Sequence, residues 1–169
     1  MNFILVSRLG IPKNIEIVIK AFKVLKEDYL WIVGDGKDRK YFESIASNNV
    51  KFFGFVGEEE LKELYKKAYA CIMPHVYEPF GLVPYEIAKY GKPSIISELS
   101  GIGYLAKKYK FGLLFNPYDL NDLIEKIKMI KDKRIYKELS RNTKKLMNEI
   151  NKIIEINKFI EIIEDELER

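Results

Sequence analysis

The sequence predicts one α/β domain in which a parallel sheet of about six strands is covered by helices on both faces. Short apolar segments alternate with longer segments of helical periodicity along the chain. The short segments are apolar at nearly every position, which is typical of strands buried on both faces. A chain of 169 residues is long enough to enclose a core in a single domain. These observations together predict a Rossmann-like fold.

Local signals place the individual elements. Pro12 marks a helix start because proline suits the first turn, and the acidic run 58–60 marks another because the helix dipole favours carboxylates there. Residues 34–36, Gly-Asp-Gly, predict a turn rather than a dinucleotide fingerprint. In chain order, we predict strand 3–9, helix 12–26, strand 29–33, helix 38–47, strand 50–53, helix 58–68, strand 70–73, helix 80–90, strand 93–97, helix 102–109, strand 112–115, and helices 119–131, 134–147 and 151–168.

Composition narrows the class of protein. The net charge is +4, and Lys and Glu are interspersed, so nucleic acid is not favoured as a partner. Cys71 is the only cysteine, which excludes a disulfide framework and a cysteine-based metal site. The first apolar run meets Ser7 and Arg8 too soon for a signal peptide, and no run reaches membrane-spanning length. We therefore expect a cytoplasmic domain.

Polar residues follow the carboxyl ends of five predicted strands, where α/β sheets bind their ligands. Arg8 and Lys13 follow the first strand, and the stretches 34–36, 55–57, 78–86 and 97–103 follow the next four. Segment 78–86 is the most informative, because Glu78 and Glu86 flank a predicted helix start. A helix start offers unpaired N–H groups that suit a phosphate, and Gly81 allows a ligand close to the main chain. The segment therefore predicts a diphosphate-binding site with a carboxylate at each end.

The ordered set of motifs resembles the C-terminal, donor-binding half of a family 4 glycosyltransferase, a retaining nucleotide-sugar enzyme of GT-B fold. The similarity rests on Ser-Arg-Leu at 7–9 with Lys13, Gly-Asp-Gly at 34–36, Glu-Pro-Phe-Gly at 78–81 with Glu86, and Gly-Lys-Pro at 91–93. It covers the chain as far as about residue 131. It implies that residues 1–169 form a nucleotide-sugar donor-binding domain, with C-terminal helices from about residue 119 and with the preceding acceptor domain absent.

The resemblance implies a role for each site residue. Arg8 and Lys13 would bind the donor diphosphate and stabilise the leaving nucleotide, and Glu78 would contact the transferred sugar. Main-chain N–H groups of Phe80, Gly81 and Leu82 would face phosphate or sugar, Glu86 would hold the ribose hydroxyls, and the loop at Phe55 and Val56 would border the base. No metal or cofactor is expected, because Arg and Lys can neutralise the departing diphosphate.

The chain departs from the family pattern at two places. Lys13-Asn14 stands where the family has Lys-Gly, and Gly-Ile-Gly-Tyr at 101–104 stands where it commonly has Gly-Ile-Pro-Glu. The resemblance also implies peripheral membrane association of the complete enzyme. The sequence does not reveal the base, the sugar or the acceptor.

Two other functions remain open from the sequence. The first is a non-catalytic nucleotide- or nucleotide-sugar-binding module that acts with a partner chain, and the second is a phosphosugar epimerase or phosphorylase domain. His75, the sole histidine, is expected to be a structural loop residue. A helical apolar stripe near the C-terminus predicts an exposed or self-associating surface; its members are Ile153, Ile156, Ile160, Ile163 and Leu167.

Overall fold

Six parallel strands form one sheet in the order β3-β2-β1-β4-β5-β6. The computed structural model describes the backbone of residues 1–79 and 81–167, and the side chains as far as residue 151 apart from that of residue 149. The strands are β1 Asn2–Val6, β2 Tyr29–Val33, β3 Val50–Gly54, β4 Ala70–Met73, β5 Ser94–Ser97 and β6 Gly112–Phe115. The helices are α1 Ile15–Val24, α2 Arg39–Ile45, α3 Glu58–Lys67, α4 Leu82–Ala88, α5 Gly101–Tyr109, α6 Leu120–Met129 and α7 Lys133–Leu167. The predicted fold class is confirmed.

The strand order places a crevice next to β1. The chain builds outward from β1 to β2 and β3 on one side, then returns to add β4, β5 and β6 on the other. Connections therefore leave β1 and β4 in opposite directions, and the carboxyl ends of these two strands flank the topological switch point, where open α/β sheets bind ligands.

Helices cover both faces of the sheet, and β1 shows why the strands are apolar throughout. Phe3 and Leu5 pack on one face in a cluster that includes Phe22 of α1. Ile4 points to the other face and packs with Leu64 of α3. All three β1 side chains are fully buried, since successive side chains of a strand alternate between faces.

The predicted helix 12–26 is wrong at its start. A 3₁₀ turn over Ile11–Lys13 precedes α1, and Asn14 separates the two with a left-handed backbone, φ 55°. A non-glycine residue in that conformation interrupts the α-helical hydrogen-bond ladder. The break turns Lys13 out of the helix and toward the end of the sheet.

The predicted break between helices 134–147 and 151–168 is also wrong. A single helix, α7, runs over Lys133–Leu167, because this stretch has no glycine or proline to interrupt it. No helix in the described part of the chain is both long and apolar enough to cross a bilayer. The side chains of the apolar stripe, Ile153 to Leu167, lie outside the described ones, so their exposure and self-association stay a prediction.

Candidate functional site

The segment that carries Arg8 is held against the turn after β2. Beyond the end of β1, the Ser7 N–H donates to the Val33 oxygen at 3.0 Å and the Leu9 N–H to the Asp35 oxygen at 2.9 Å. A Cβ at Gly34 would lie 2.0 Å from the Ser7 oxygen, a separation that no side chain tolerates. The Gly-Asp-Gly turn thus allows two backbones to meet, and Arg8 projects from the supported segment as an exposed side chain.

Asn14 fixes the position of Lys13. Its side-chain amide donates to the Pro74 oxygen at 3.2 Å and to the Pro117 oxygen at 2.9 Å. These bonds tie the 3₁₀ turn to the loops after β4 and β6. Glycine, which the family has at this position, would permit the left-handed backbone but supply neither bond. The departure from the family pattern is therefore compatible with the backbone that this position needs.

Lys13 and Glu78, 65 residues apart in sequence, form an ion pair. Lys13 Nζ lies 2.9 Å from Glu78 Oε2, and His75 Nδ1 lies 3.6 Å from the same oxygen. The hydrogen bond from Lys13 holds the pKa of Glu78 below its usual range, although partial burial opposes this. Burial, and then the charge of Lys13, lower the pKa of His75 to about 4, so its imidazole is neutral at pH 7.

The loop that carries Glu78 rests on the start of α5. The Gly101 N–H donates a hydrogen bond to the main-chain carbonyl oxygen of Glu78 at 2.9 Å. A Cβ at Gly101 would lie 1.8 Å from the Pro79 oxygen. Only glycine permits this approach, so the Gly-Ile-Gly stretch of α5 sets where the Glu78 loop lies.

The predicted helix after this loop begins later than expected, at Leu82. Gly81 precedes it with φ 62°, and a Cβ there would lie 2.8 Å from Ile102 Cγ2. Gly81 is buried and Leu82 is exposed, and Phe80 lies outside the described residues. The proposed contacts of these three main-chain N–H groups stay a prediction.

Glu86, the second carboxylate of the motif, has a protein partner. The Tyr65 hydroxyl donates to Glu86 Oε2 at 2.7 Å. Tyr65 is buried, and burial together with this hydrogen bond raises the pKa of its hydroxyl. The bond fixes the direction in which the Glu86 carboxylate points.

Two cavities lie at the carboxyl edge of the sheet, and a third adjoins one of them between α3 and α4. The central cavity has a volume of about 500 Å³ and is lined by Val6, Ser7, Arg8, Val33, Gly34, Asp35, Phe55, Val56, Leu61 and Val83. The cationic cavity, of about 450 Å³, shares Arg8 with it and is lined by Arg8, Leu9, Gly10, Pro12, Lys13 and Lys37. The Glu86 cavity, of about 240 Å³, shares Leu61 with the central one and is lined by Glu58, Leu61, Lys62, Tyr65, Glu86, Lys89 and Tyr90.

The predicted site residues are therefore brought together in part. Arg8 and Lys13 share one cavity, and Lys13 contacts Glu78 directly. Phe55 and Val56 line the central cavity, and Glu86 lines the adjoining one, so their proposed contacts with the base and the ribose stay predictions. Among the described residues, no group of three or more His, Cys, Asp or Glu side chains is placed to hold a metal ion.

Sequence reasoning missed several residues of this edge. Lys37 adds a third cation to the cationic cavity, and its position after the Gly-Asp-Gly turn is a signal that could have found it. Tyr65 and Leu61 gave no such signal, because each lies within an ordinary helical pattern.

Comparison with known proteins identifies the family. The family model described as "Glycosyl transferases group 1" matches residues 2–146, most of the chain. The chain belongs to the group 1 glycosyltransferases. This confirms the resemblance drawn from the motifs.

Relatives of this group 1 glycosyltransferase chain include both uncharacterized and named enzymes. An uncharacterized glycosyltransferase of Methanocaldococcus jannaschii, MJ1607, is 36% identical over 120 residues, covering 66% of this chain and 31% of its own length. Mannosylfructose-phosphate synthase of Agrobacterium fabrum is 28% identical over 155 residues, covering 80% of this chain and 34% of its own. The chain thus spans about a third of the length of these relatives.

Solved structures agree on the fold. Sucrose-phosphate synthase of Thermosynechococcus elongatus superposes with a TM-score of 0.77 at 28% identity, covering 85% of this chain and 40% of that one. HepE of Anabaena, solved in complex with UDP and glucose, superposes with a TM-score of 0.80 at 22% identity, covering 94% of this chain and 46% of that one. At that identity HepE supports the fold alone.

Proposed function

We propose that this group 1 glycosyltransferase domain binds a nucleotide-diphosphate sugar as the donor half of a retaining enzyme, which transfers a hexosyl group to a hydroxyl acceptor. One observation carries the proposal. Arg8 and Lys13 line one cavity beyond the carboxyl end of β1, and Lys13 is paired with Glu78 at 2.9 Å. A ligand with a diphosphate next to a sugar would meet cations and a carboxylate in that order.

The cations suit the diphosphate. Arg8, Lys13 and Lys37 line the cationic cavity, and no carboxylate side chain is among its described lining residues. When the bond between the anomeric carbon and the diphosphate breaks, the leaving nucleotide takes the bonding electrons and gains negative charge. Positioned Arg and Lys side chains stabilise that charge by charge-assisted hydrogen bonds.

Glu78 suits the sugar. The low pKa that Lys13 imposes keeps its carboxylate ionised at neutral pH, and an ionised carboxylate accepts hydrogen bonds from hydroxyl groups. The rest of the donor would extend into the central cavity, with the base at Phe55 and Val56 and the ribose toward Glu86. Holding both ends of the donor orients the anomeric carbon, which can contribute several kcal/mol to catalysis.

Calorimetry with UDP, GDP and ADP tests the cationic site. Arg8→Ala should weaken binding of the preferred diphosphate by about 1.5–3 kcal/mol, the range for a hydrogen bond to a charged group. Lys13→Ala should weaken it similarly, whereas Lys40→Ala removes an exposed cation of α2 outside the cavity and should change little. Equal affinities in the wild type and in the double Arg8/Lys13 variant would reject the assignment.

Donor binding is expected to be independent of divalent metal. The charge of the diphosphate is matched by side-chain cations in this proposal, so EDTA should leave the UDP, GDP or ADP affinity unchanged. Affinity that is lost with EDTA and restored with Mg²⁺ or Mn²⁺ would contradict this prediction.

A further inference from the structure

His75 is a buried histidine next to Glu78. Its exposed fraction is 5%, and neither Nδ1 nor Nε2 has a partner among the described residues. A neutral imidazole carries one N–H donor and one acceptor nitrogen. Buried polar groups in native proteins are nearly always paired, so an orphan beside a candidate site needs an explanation.

The carboxylate oxygen of Glu78 next to His75 already accepts a hydrogen bond from Lys13. Glu78 Oε2 lies 3.6 Å from His75 Nδ1, outside hydrogen-bond range, and 2.9 Å from Lys13 Nζ. Two donors therefore compete for one carboxylate oxygen, and Lys13 holds it. The gap to His75 needs to close by about 0.7 Å to reach an ordinary N–H···O distance.

Besides its ion pair with Glu78, Lys13 can bind an anion in the cationic cavity. Its side chain is 27% exposed and lines the cationic cavity with Arg8. A lysine ammonium on a flexible stem can turn between neighbouring anions, and a diphosphate carries more charge than a carboxylate. If Lys13 leaves, the partly buried Glu78 carboxylate loses its ion-pair partner, and His75 Nδ1 lies only 3.6 Å from its Oε2.

We propose that a bound nucleoside diphosphate draws Lys13 away from Glu78, and that His75 then donates to Glu78 and holds it toward the sugar. The proposal rests on the proposed function, since it requires a diphosphate in the cationic cavity. His75 is thus a positioning residue of the ligand-bound state. Burial, the larger cause of the low pKa of His75, remains when Lys13 moves, and a neutral imidazole orients the carboxylate without cancelling its charge.

The single histidine makes the exchange observable. In ¹⁵N NMR of the full chain near pH 8, one pair of imidazole nitrogens reports the tautomer and its hydrogen bonding. Saturation with UDP, GDP or ADP, whichever binds in calorimetry, should convert the signal to a hydrogen-bonded Nδ1–H. Lys13→Met should produce the same change without any nucleotide, because it frees Glu78 directly. Lys13→Met combined with Glu78→Ala should abolish it.

The diphosphate affinities of two His75 variants distinguish a positioning role of this residue from a packing role. His75→Leu should weaken diphosphate binding about tenfold, the scale of one hydrogen bond to a charged group. His75→Asn keeps an amide N–H near the place of Nδ1 and should stay within about twofold of the wild type. Equal losses in both variants, or none in either, would overturn the positioning role.

The outcomes distinguish the two proposals. A nucleotide that binds without changing the imidazole signal, or a Lys13→Met variant with an unchanged signal, overturns the exchange and leaves the proposed function standing. No binding of UDP, GDP or ADP, together with a changed signal in Lys13→Met, overturns the proposed function and with it the ligand-driven exchange. A changed imidazole signal in both the nucleotide-saturated wild type and the nucleotide-free Lys13→Met variant supports the exchange.

Discussion

At the scale of single residues, Glu86 is positioned by one hydroxyl from another helix. Its place on the apolar α4 predicts that it needs a partner or a ligand, since carboxylates are rarely buried alone. The structure supplies Tyr65 of α3, 21 residues earlier, at 2.7 Å. The sequence could not name this partner, because periodicity identifies the buried face of a helix and not what that face meets.

Removing the Tyr65 hydroxyl should disturb recognition of the nucleoside and spare recognition of phosphate. Tyr65→Phe releases the Glu86 carboxylate and should weaken binding of the preferred nucleoside diphosphate by about 1.5 kcal/mol. Glu86→Gln should have an effect of the same kind if the carboxylate holds the ribose. Isothermal titration with the nucleotide and with inorganic pyrophosphate measures both ligands.

The control for this pair is Tyr29→Phe, which removes an exposed hydroxyl at the amino end of β2. It should leave both affinities unchanged. Pyrophosphate affinity that falls as much as nucleotide affinity in Tyr65→Phe would make the role of Tyr65 and Glu86 electrostatic or structural.

At the scale of elements, the sequence predicts strands better than it predicts junctions. The bounds of β2, β4 and β6 match the prediction, because a short apolar run between turn residues marks both ends of a buried strand. The 3₁₀ turn before α1 and the uninterrupted α7 were not predicted. Asn14 adopts its backbone because two distant carbonyl groups accept from its side chain, and no local pattern encodes those contacts.

Close contact between the Glu78 loop and α5 should make Gly101 intolerant of any side chain. In Gly101→Ala the new Cβ would fall 1.8 Å from the Pro79 oxygen, so either the loop or the helix must move. We expect a loss of about 1–3 kcal/mol in the free energy of unfolding, the usual cost of overpacking. Urea denaturation measures it, and nucleotide-sugar affinity should fall because Glu78 moves with the loop.

A matched change elsewhere isolates the steric cause. Gly57 precedes α3 with an ordinary negative φ, and a Cβ added there would meet no heavy atom of the described residues within 4 Å. Gly57→Ala should therefore carry no steric penalty and cost only the preference of an N-cap position for glycine over alanine, about 0.5–1 kcal/mol. Similar losses in the two variants would show that backbone flexibility, and not the contact with Pro79, explains the first result.

At the scale of the whole molecule, the candidate site and the long-range stabilising contacts lie at opposite edges of the sheet. The carboxyl edge holds Arg8, Lys13 and Glu78. The amino edge holds the polar contacts that close the fold, among them the bond from Lys131 Nζ to Asp28 Oδ2 at 2.7 Å. That contact joins the turn before α7 to the start of β2, 103 residues apart. Shared strand ends made the first edge predictable from sequence, whereas a contact so distant along the chain left no local signal.

The ionisation of Asp28 links this edge to stability. Asp28 is 2% exposed, and burial raises the pKa of its carboxyl. Hydrogen bonds from Lys131 and from the Met1 amino group together lower the pKa by more, so it lies below its usual range. A carboxyl with a depressed pKa stabilises the fold above its unfolded pKa of about 3.9, and this stabilisation is lost as the pH falls through the folded pKa.

Lys131→Met should therefore destabilise the chain at neutral pH and leave ligand binding intact. The expected loss near pH 7 is about 1–2 kcal/mol in the free energy of unfolding by urea, the lower part of the range because Lys131 is itself about a third exposed. The difference from the wild type should shrink below about pH 4, since a protonated Asp28 no longer needs a cation.

The control for Lys131→Met is Lys128→Met, an exposed change on α6, which should leave stability unchanged at both pH values. Nucleotide affinity should match the wild type in both variants, because the site lies at the opposite edge of the sheet. A stability difference that persists unchanged to about pH 3 would mean that Lys131 acts through packing of its stem and not through its charge, since Asp28 is then protonated in the unfolded chain.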